Sequence, residues 1–147
     1  MPIGKEEIAT LIPHAGAMCL LDEVTRWDAT TVSASSRTHR DHANPLRAQG
    51  QVSTLSAIEY AVQAMAVHGA LAGAVSGRPR AGYLVSLRNV VCLAPRLDDL
   101  EGDLFVEARQ LMGDAGFVIY AFALRIGDCE VLTGNATVML DAGGGAG

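Results

Sequence analysis

At 147 residues, 50% hydrophobic and 18% charged, the chain has room for one domain with its own core and is too short for two. Such a composition excludes a disordered chain and calls for no disulfide or metal to close the core. The net charge of −5, from 11 basic and 16 acidic residues, excludes binding to nucleic acid through bulk charge.

Cys19, Cys92 and Cys129 are odd in number and far apart. Their spacing fits neither a zinc site nor a disulfide framework, and it points to a reducing, cytoplasmic setting. The first residues carry Glu6 and Glu7 where an export signal carries positive charge.

In chain order, Lys5–Leu11 places Ile8 and Leu11 three apart behind two acids, and Pro13 closes the pattern, which predicts a short helix. Strands are predicted over 18–24 and 30–36, on either side of a polar turn at Trp27 and Asp28. Residues 37–51 are polar and aperiodic, hence a loop. Ser53 or Thr54 can cap the helix that follows, which is alanine-rich and apolar on almost every face from 55 to 75. That run has the length of a membrane span, but Glu59, Gln63 and His68 within it favour a helix surrounded by a soluble protein. It should end near Gly77, with Pro79 blocking continuation.

Four strands are then predicted, over 83–93, 103–112, 117–126 and Cys129–Leu140. The tight-turn sequences at 113–116 and 127–128 make the last three antiparallel neighbours. Residues 1–140 form one domain and 141–147 a frayed glycine-rich tail. A sheet facing a helix this apolar has to curl about it, which gives an α+β hot-dog fold, an antiparallel sheet wrapped around a central helix.

Glu59 is the most informative residue. A carboxylate in the first turns of an apolar helix costs free energy unless it is paired or protonated, and no Lys or Arg lies in the 55–75 run. Gln63, one turn on, can hold it by a hydrogen bond. Of the four histidines, His68 falls about 180° round the helix and about 13 Å along it, too far for a shared site, and reads as a packed residue. His39 and His42 lie in the loop leading to the helix, and His42, ahead of Ala43-Asn44-Pro45, sits on the better-defined turn. His14 after Pro13 reads as a turn residue.

These residues resemble a family. The stretch from Glu6 to Val24, with its Pro13-His14 turn, is similar to the opening of the small FabZ-type 3-hydroxyacyl-acyl-carrier-protein dehydratases. Glu59-Tyr-Ala-Val-Gln63 matches their Glu-x-x-x-Gln on the central helix, and His42 with Asn44-Pro45 resembles the loop that carries their histidine. Asn44-Pro-Leu-Arg47 and the run from Ile58 to Gly69 are most similar to dehydratase-like proteins of aryl polyene pathways. Two departures stand out: the Gly-His-Phe-Pro-Gly-x-Pro of the histidine loop is reduced to Asp41-His-Ala-Asn-Pro45, and the Pro-Gly that opens the central helix is replaced by Val52-Ser-Thr54, so that the spacing from His42 to Glu59 is longer than the usual one.

The resemblance implies dehydration of a 3-hydroxyacyl thioester to the trans-2-enoyl thioester, with His42 as base and Glu59 as acid and no metal or cofactor. It places the thioester oxygen at the amides near Thr54, Leu55 and Ser56, with Gln63 beside the substrate. It also implies a dimer, with itself or a related hot-dog protein, joined edge to edge so that His42 of one chain faces Glu59 of the other. Between Gln63 and Leu97 there are no acids but four arginines, Arg78, Arg80, Arg88 and Arg96, a docking face for an acidic acyl carrier protein or for coenzyme A phosphates. A thioesterase and a non-catalytic partner subunit of an active dehydratase remain as alternatives.

Overall fold

A computed structural model describes residues 2–12, 16–75, 82–114 and 116–140. The predicted helix end near Gly77, His14, Arg78, Arg80 and the glycine-rich tail lie outside them.

The elements follow in the order β1 (Ile3–Gly4), α1 (Lys5–Leu11), β2 (Glu23–Trp27), β3 (Thr31–Ser36), α2 (Ala57–Val75), β4 (Gly82–Cys92), β5 (Leu104–Gly113), β6 (Phe117–Ile126) and β7 (Cys129–Leu140). The strands form one antiparallel sheet in the order β1-β2-β3-β5-β6-β7-β4. The predicted turns do join β5, β6 and β7 as neighbours. Gly127 takes a φ of +57° in the second of them, a conformation that favours glycine. β4 crosses over to pair with β7 and forms one edge of the sheet, with bulges at Leu84/Ser86 and Arg88/Val91.

The sheet turns one face to α2. Val32 and Ala34 on β3, Leu104, Val106 and Ala108 on β5, and Phe122 and Leu124 on β6 are all buried, alternating with outward residues at the period of a strand. Gly134 on β7 faces the Phe122 ring so closely that a Cβ there would sit 2.8 Å from Cζ. This is a hot-dog fold. No helix among the described residues is long and apolar enough to cross a membrane.

Two expectations need correction. α2 is not enclosed on every side: Ile58, Glu59, Val62, Ala66, Gly69 and Ala70 form a half-exposed stripe at helical spacing. The predicted strand over 18–24 is displaced, with a 3-10 turn at Gly16–Met18 and the strand starting only at Glu23. The reason is where the Leu20 peptide finds its partners. Its N–H donates to Gln63 Oε1 at 2.8 Å, and its carbonyl accepts from Ser36 Oγ at 2.6 Å and Thr38 Oγ1 at 2.8 Å. Side chains have taken the bonds that a strand would have spent on a neighbour.

Candidate functional site

The segment from β3 to α2 carries His39 and His42, and the structure treats them oppositely. His39, in the 3-10 turn Thr38–Arg40, is fully buried. Its ring nitrogens face the Leu100 and Gly102 carbonyls without making a hydrogen bond, and burial pushes its pKa below the ordinary histidine value. His42 is exposed on the following turn and has no hydrogen-bond partner among the described residues.

Two buried groups hold that turn against α2. Asn44 Nδ2 donates to the Thr38 carbonyl at 2.7 Å and to the Tyr60 hydroxyl at 3.0 Å, while its Oδ1 accepts the Leu46 N–H at 2.8 Å. Tyr60 and Thr38 hydroxyls are 2.7 Å apart. With Asn44 donating to Tyr60 and the Leu20 carbonyl able only to accept, the protons run from Asn44 to Tyr60 to Thr38 to Leu20. Burial raises the Tyr60 pKa, so the phenol stays protonated and the chain of bonds is complete. Sequence reasoning missed Tyr60 and Asn44, although they sit inside the two motifs it used.

At the helix start, the Ser53 hydroxyl accepts the Leu55 N–H at 3.1 Å and the Ser53 carbonyl accepts the Ser56 N–H at 2.9 Å. Two of the three amides expected to meet the thioester oxygen, those of Leu55 and Ser56, are therefore capped already. Thr54 itself is buried and its hydroxyl donates to the Ala94 carbonyl, whereas Leu55 is 60% exposed. Glu59, one turn on from Leu55, is half-buried on the open stripe of α2, and its carboxylate has no hydrogen bond or ion pair among the described residues.

Gln63 does not hold Glu59. Its Nε2 donates to the Met18 carbonyl at 2.6 Å and its Oε1 accepts from Leu20, so both ends of the amide are occupied in fixing the segment before β2. His68 is buried as a packed residue. Its Nε2 lies 2.9 Å from the Asp28 carbonyl and must carry the proton, so Nδ1 accepts from Tyr120 Oη at 2.7 Å. Burial lowers the His68 pKa and lifts that of Tyr120 to about 12.

The arginines expected to form a docking face divide. Arg88 is exposed on β4. Arg96 is not free: it binds Asp98 through Nε at 3.1 Å and Nη2, and lies 3.8 Å from Asp99. That bond from Arg96 holds the Asp98 carboxyl well below the usual carboxylate range. A groove of about 440 Å³ lies among β2, β3, β5 and β6, with Glu130 of β7 at its side, and is lined by none of these candidate residues. Arg26 and Glu107 within it are 3.9 Å apart, and Arg125 stacks 4.3 Å over Phe105.

No protein with a curated description matches the sequence. Among solved structures, a dehydratase heterocomplex, ApeI:P, from Xenorhabdus doucetiae contains a similar chain at 22% identity and a TM-score of 0.80, covering 91% of this chain and 90% of that one. A thioesterase from Pseudomonas aeruginosa is similar at 13% identity and a TM-score of 0.68, with 94% of each chain covered. Thioesterase superfamily member 2 of zebra fish is similar at 14% identity and a TM-score of 0.65, over 93% of this chain and 95% of that one. These likenesses establish the fold. Residues 6–142 match the family model for ApeP dehydratase, and the chain therefore belongs to the ApeP-like dehydratase family.

Proposed function

We propose that the chain dehydrates a 3-hydroxyacyl thioester carried on an acyl carrier protein, with Glu59 protonating the departing C3 hydroxyl and His42 removing the C2 proton. The observation that carries this reading is the state of Glu59. On a helix whose other polar side chains, Tyr60, Gln63 and His68, are all hydrogen-bonded, it is partly accessible beside exposed Leu55 and has no partner among the described residues. A group left free where its neighbours are satisfied is available for a substrate. The elimination breaks the C2–H and C3–O bonds and releases water, so charge moves through the thioester carbonyl, and the Thr54 amide at the positive end of α2 suits that oxygen. Leu55 lines the approach.

The free edge of β4 and the half-exposed stripe of α2 support a dimer, either of two copies or with a related hot-dog protein. The exposed, unpaired Cys92 and Cys129 support a reducing, cytoplasmic setting. Arg88 supports a carrier contact, to which Arg78 and Arg80 are proposed to add.

A second reading, a subunit that contributes Glu59 while a partner supplies the base, is favoured by one observation. His42 sits exposed, and no side chain among the described residues bonds to its ring. Mass analysis of a 3-hydroxyacyl carrier separates the readings. Loss of water with the pure protein supports the dehydratase. Loss of water only when a related hot-dog protein is added supports the subunit. Release of the acyl group points to a thioesterase and overturns both.

A further inference from the structure

The loop between β3 and α2 is a series of short turns, closed by the Asn44 N–H on the Asp41 carbonyl at 3.1 Å, the Arg47 N–H on the Asn44 carbonyl at 3.0 Å and the Ala48–Gln51 pair, and one side chain gathers them. Arg47 Nε and Nη2 donate to the Asp41 carbonyl at 3.3 and 3.2 Å, and Nη1 donates to the Gly50 carbonyl at 2.9 Å. The two ends of the loop are thereby tied to one guanidinium. Asp98, in the connection from β4 to β5, holds the whole arrangement in place. Its Oδ2 lies 3.8 Å from Arg47 Nη1, and its Oδ1 accepts the Val52 N–H at 2.8 Å. Next to Val52, the Leu97 N–H donates to the Val52 carbonyl at 2.8 Å, and Ser53 bridges to Arg96. The Asp98 side chain is 7% exposed and that of Arg47 15%, so solvent and salt screen the pair little.

What this carboxylate holds is specific. Asp41, at one end of the gathered loop, directly precedes His42. Val52, at the other, leads into the Ser53 cap and the turn that presents Glu59. We propose that Asp98, acting through Arg47 and the Val52 N–H, is a positioning residue of the dehydration site, setting the His42 turn against the N-terminal end of α2. The proposal rests on the reading of His42 and Glu59 as the reacting groups. Asp98 touches neither, so its loss should act on the geometry of the chemical step more than on substrate binding.

The test uses the full chain with Asp98→Asn, which keeps an acceptor for Val52 and removes the charge, and Arg47→Met, which leaves Asp98 paired with Arg96. Amide hydrogen exchange and dehydration kinetics on a 3-hydroxyacyl carrier are measured for both, beside His42→Ala. Each variant should melt cooperatively with protection in α2 and the sheet unchanged, while amides of 41–52 exchange roughly tenfold faster or more. kcat should fall roughly tenfold or more with KM within about threefold, and Arg47→Lys should recover part of it. Unchanged exchange over 41–52, a kcat within about twofold of the parent, or a loss confined to KM in folded Asp98→Asn or Arg47→Met overturns the proposal. If neither variant folds, the pair is structural and the positioning role falls. Full turnover by His42→Ala overturns the underlying reading of the site and the proposal with it. That failure is recognised because 41–52 still loosens in the Asp98 and Arg47 variants.

Discussion

Glu59 and His68 are polar side chains on the same apolar helix, nine residues and about 13 Å apart. His68 is buried and bonded at both ring nitrogens, to Tyr120 and to the Asp28 carbonyl, while Glu59 is half-exposed and bonded to nothing among the described residues. Gln63 between them behaves like His68, with both ends of its amide in use. The difference separates two uses of polarity in a core. A satisfied buried group fixes a neighbouring segment, and its removal leaves orphaned partners. An unsatisfied group at an open stripe fixes nothing, and its removal should cost chemistry instead of stability.

The largest expected effect follows from the free end of that comparison. Glu59→Gln keeps the size and loses the transferable proton, so dehydration should fall by about 10²- to 10⁴-fold, measured as water loss from a 3-hydroxyacyl carrier. Its unfolding midpoint in urea should match the parent, since a surface change without partners alters stability by about 0.5 kcal/mol or less. A destabilised Glu59→Gln would place the carboxylate among the structural groups. Gln63→Leu should do the reverse. It strands the Leu20 N–H and the Met18 carbonyl and should cost about 2 kcal/mol or more of stability, read from the same denaturant curve.

The comparison also shows what a sequence can carry. α2 and the four strands after it, the last three as neighbours, were legible because an alanine-rich run, β-branched runs and two tight-turn sequences are local signals. Leu20 was misassigned to a strand because its partners, Gln63, Ser36 and Thr38, come from three separate places in the chain. Tyr60 looked like one more apolar position, since a phenol on a buried helix shows its hydroxyl only when the loop that meets it is in place. Arg96 looked like a free cation because the acid-free stretch used to find it stops at Leu97, one residue short of Asp98. Glu59 stands out because an unpaired carboxylate contradicts its own local context, which needs no tertiary knowledge to notice. The ranking of His42 over His39 drew on turn chemistry. The structure adds that His39 is enclosed by the 97–103 connection, which no local pattern around His39 reports.

A third effect sharpens the satisfied side. Burial lowers the pKa of His39 and His68 below the unfolded value of 6.5, so both rings are neutral in the folded chain near neutral pH. Below about pH 6.5 the unfolded chain binds more protons than the folded one, so stability is full above that pH and falls as pH drops through it. The slope approaches about 1.4 kcal/mol per pH unit for each histidine until its folded pKa is reached. Urea unfolding at a series of pH values should show the loss, and His68→Gln should remove about half of the slope. A slope that is unchanged in His68→Gln would mean that His68 is already charged in the fold.

The smallest expected effect lies outside the helix, at the arginines. Arg88 is exposed on the β4 edge, whereas Arg96 is bound to Asp98, so charge reversal at the two positions should give different phenotypes. Arg88→Glu should leave stability unchanged and raise KM for a carrier-bound substrate a few-fold, by roughly 1 kcal/mol or less, because an exposed charge acts on encounter with an acidic partner and is screened by salt. Turnover of a short thioester without the carrier should not change. Arg96→Glu places a second negative charge against Asp98, beside the Val52 amide that leads into α2, and should lower stability and turnover of both substrates together. If Arg88→Glu slows the short thioester as much as the carrier, the β4 edge belongs to the assembly of the site, and the carrier must be met elsewhere on the chain.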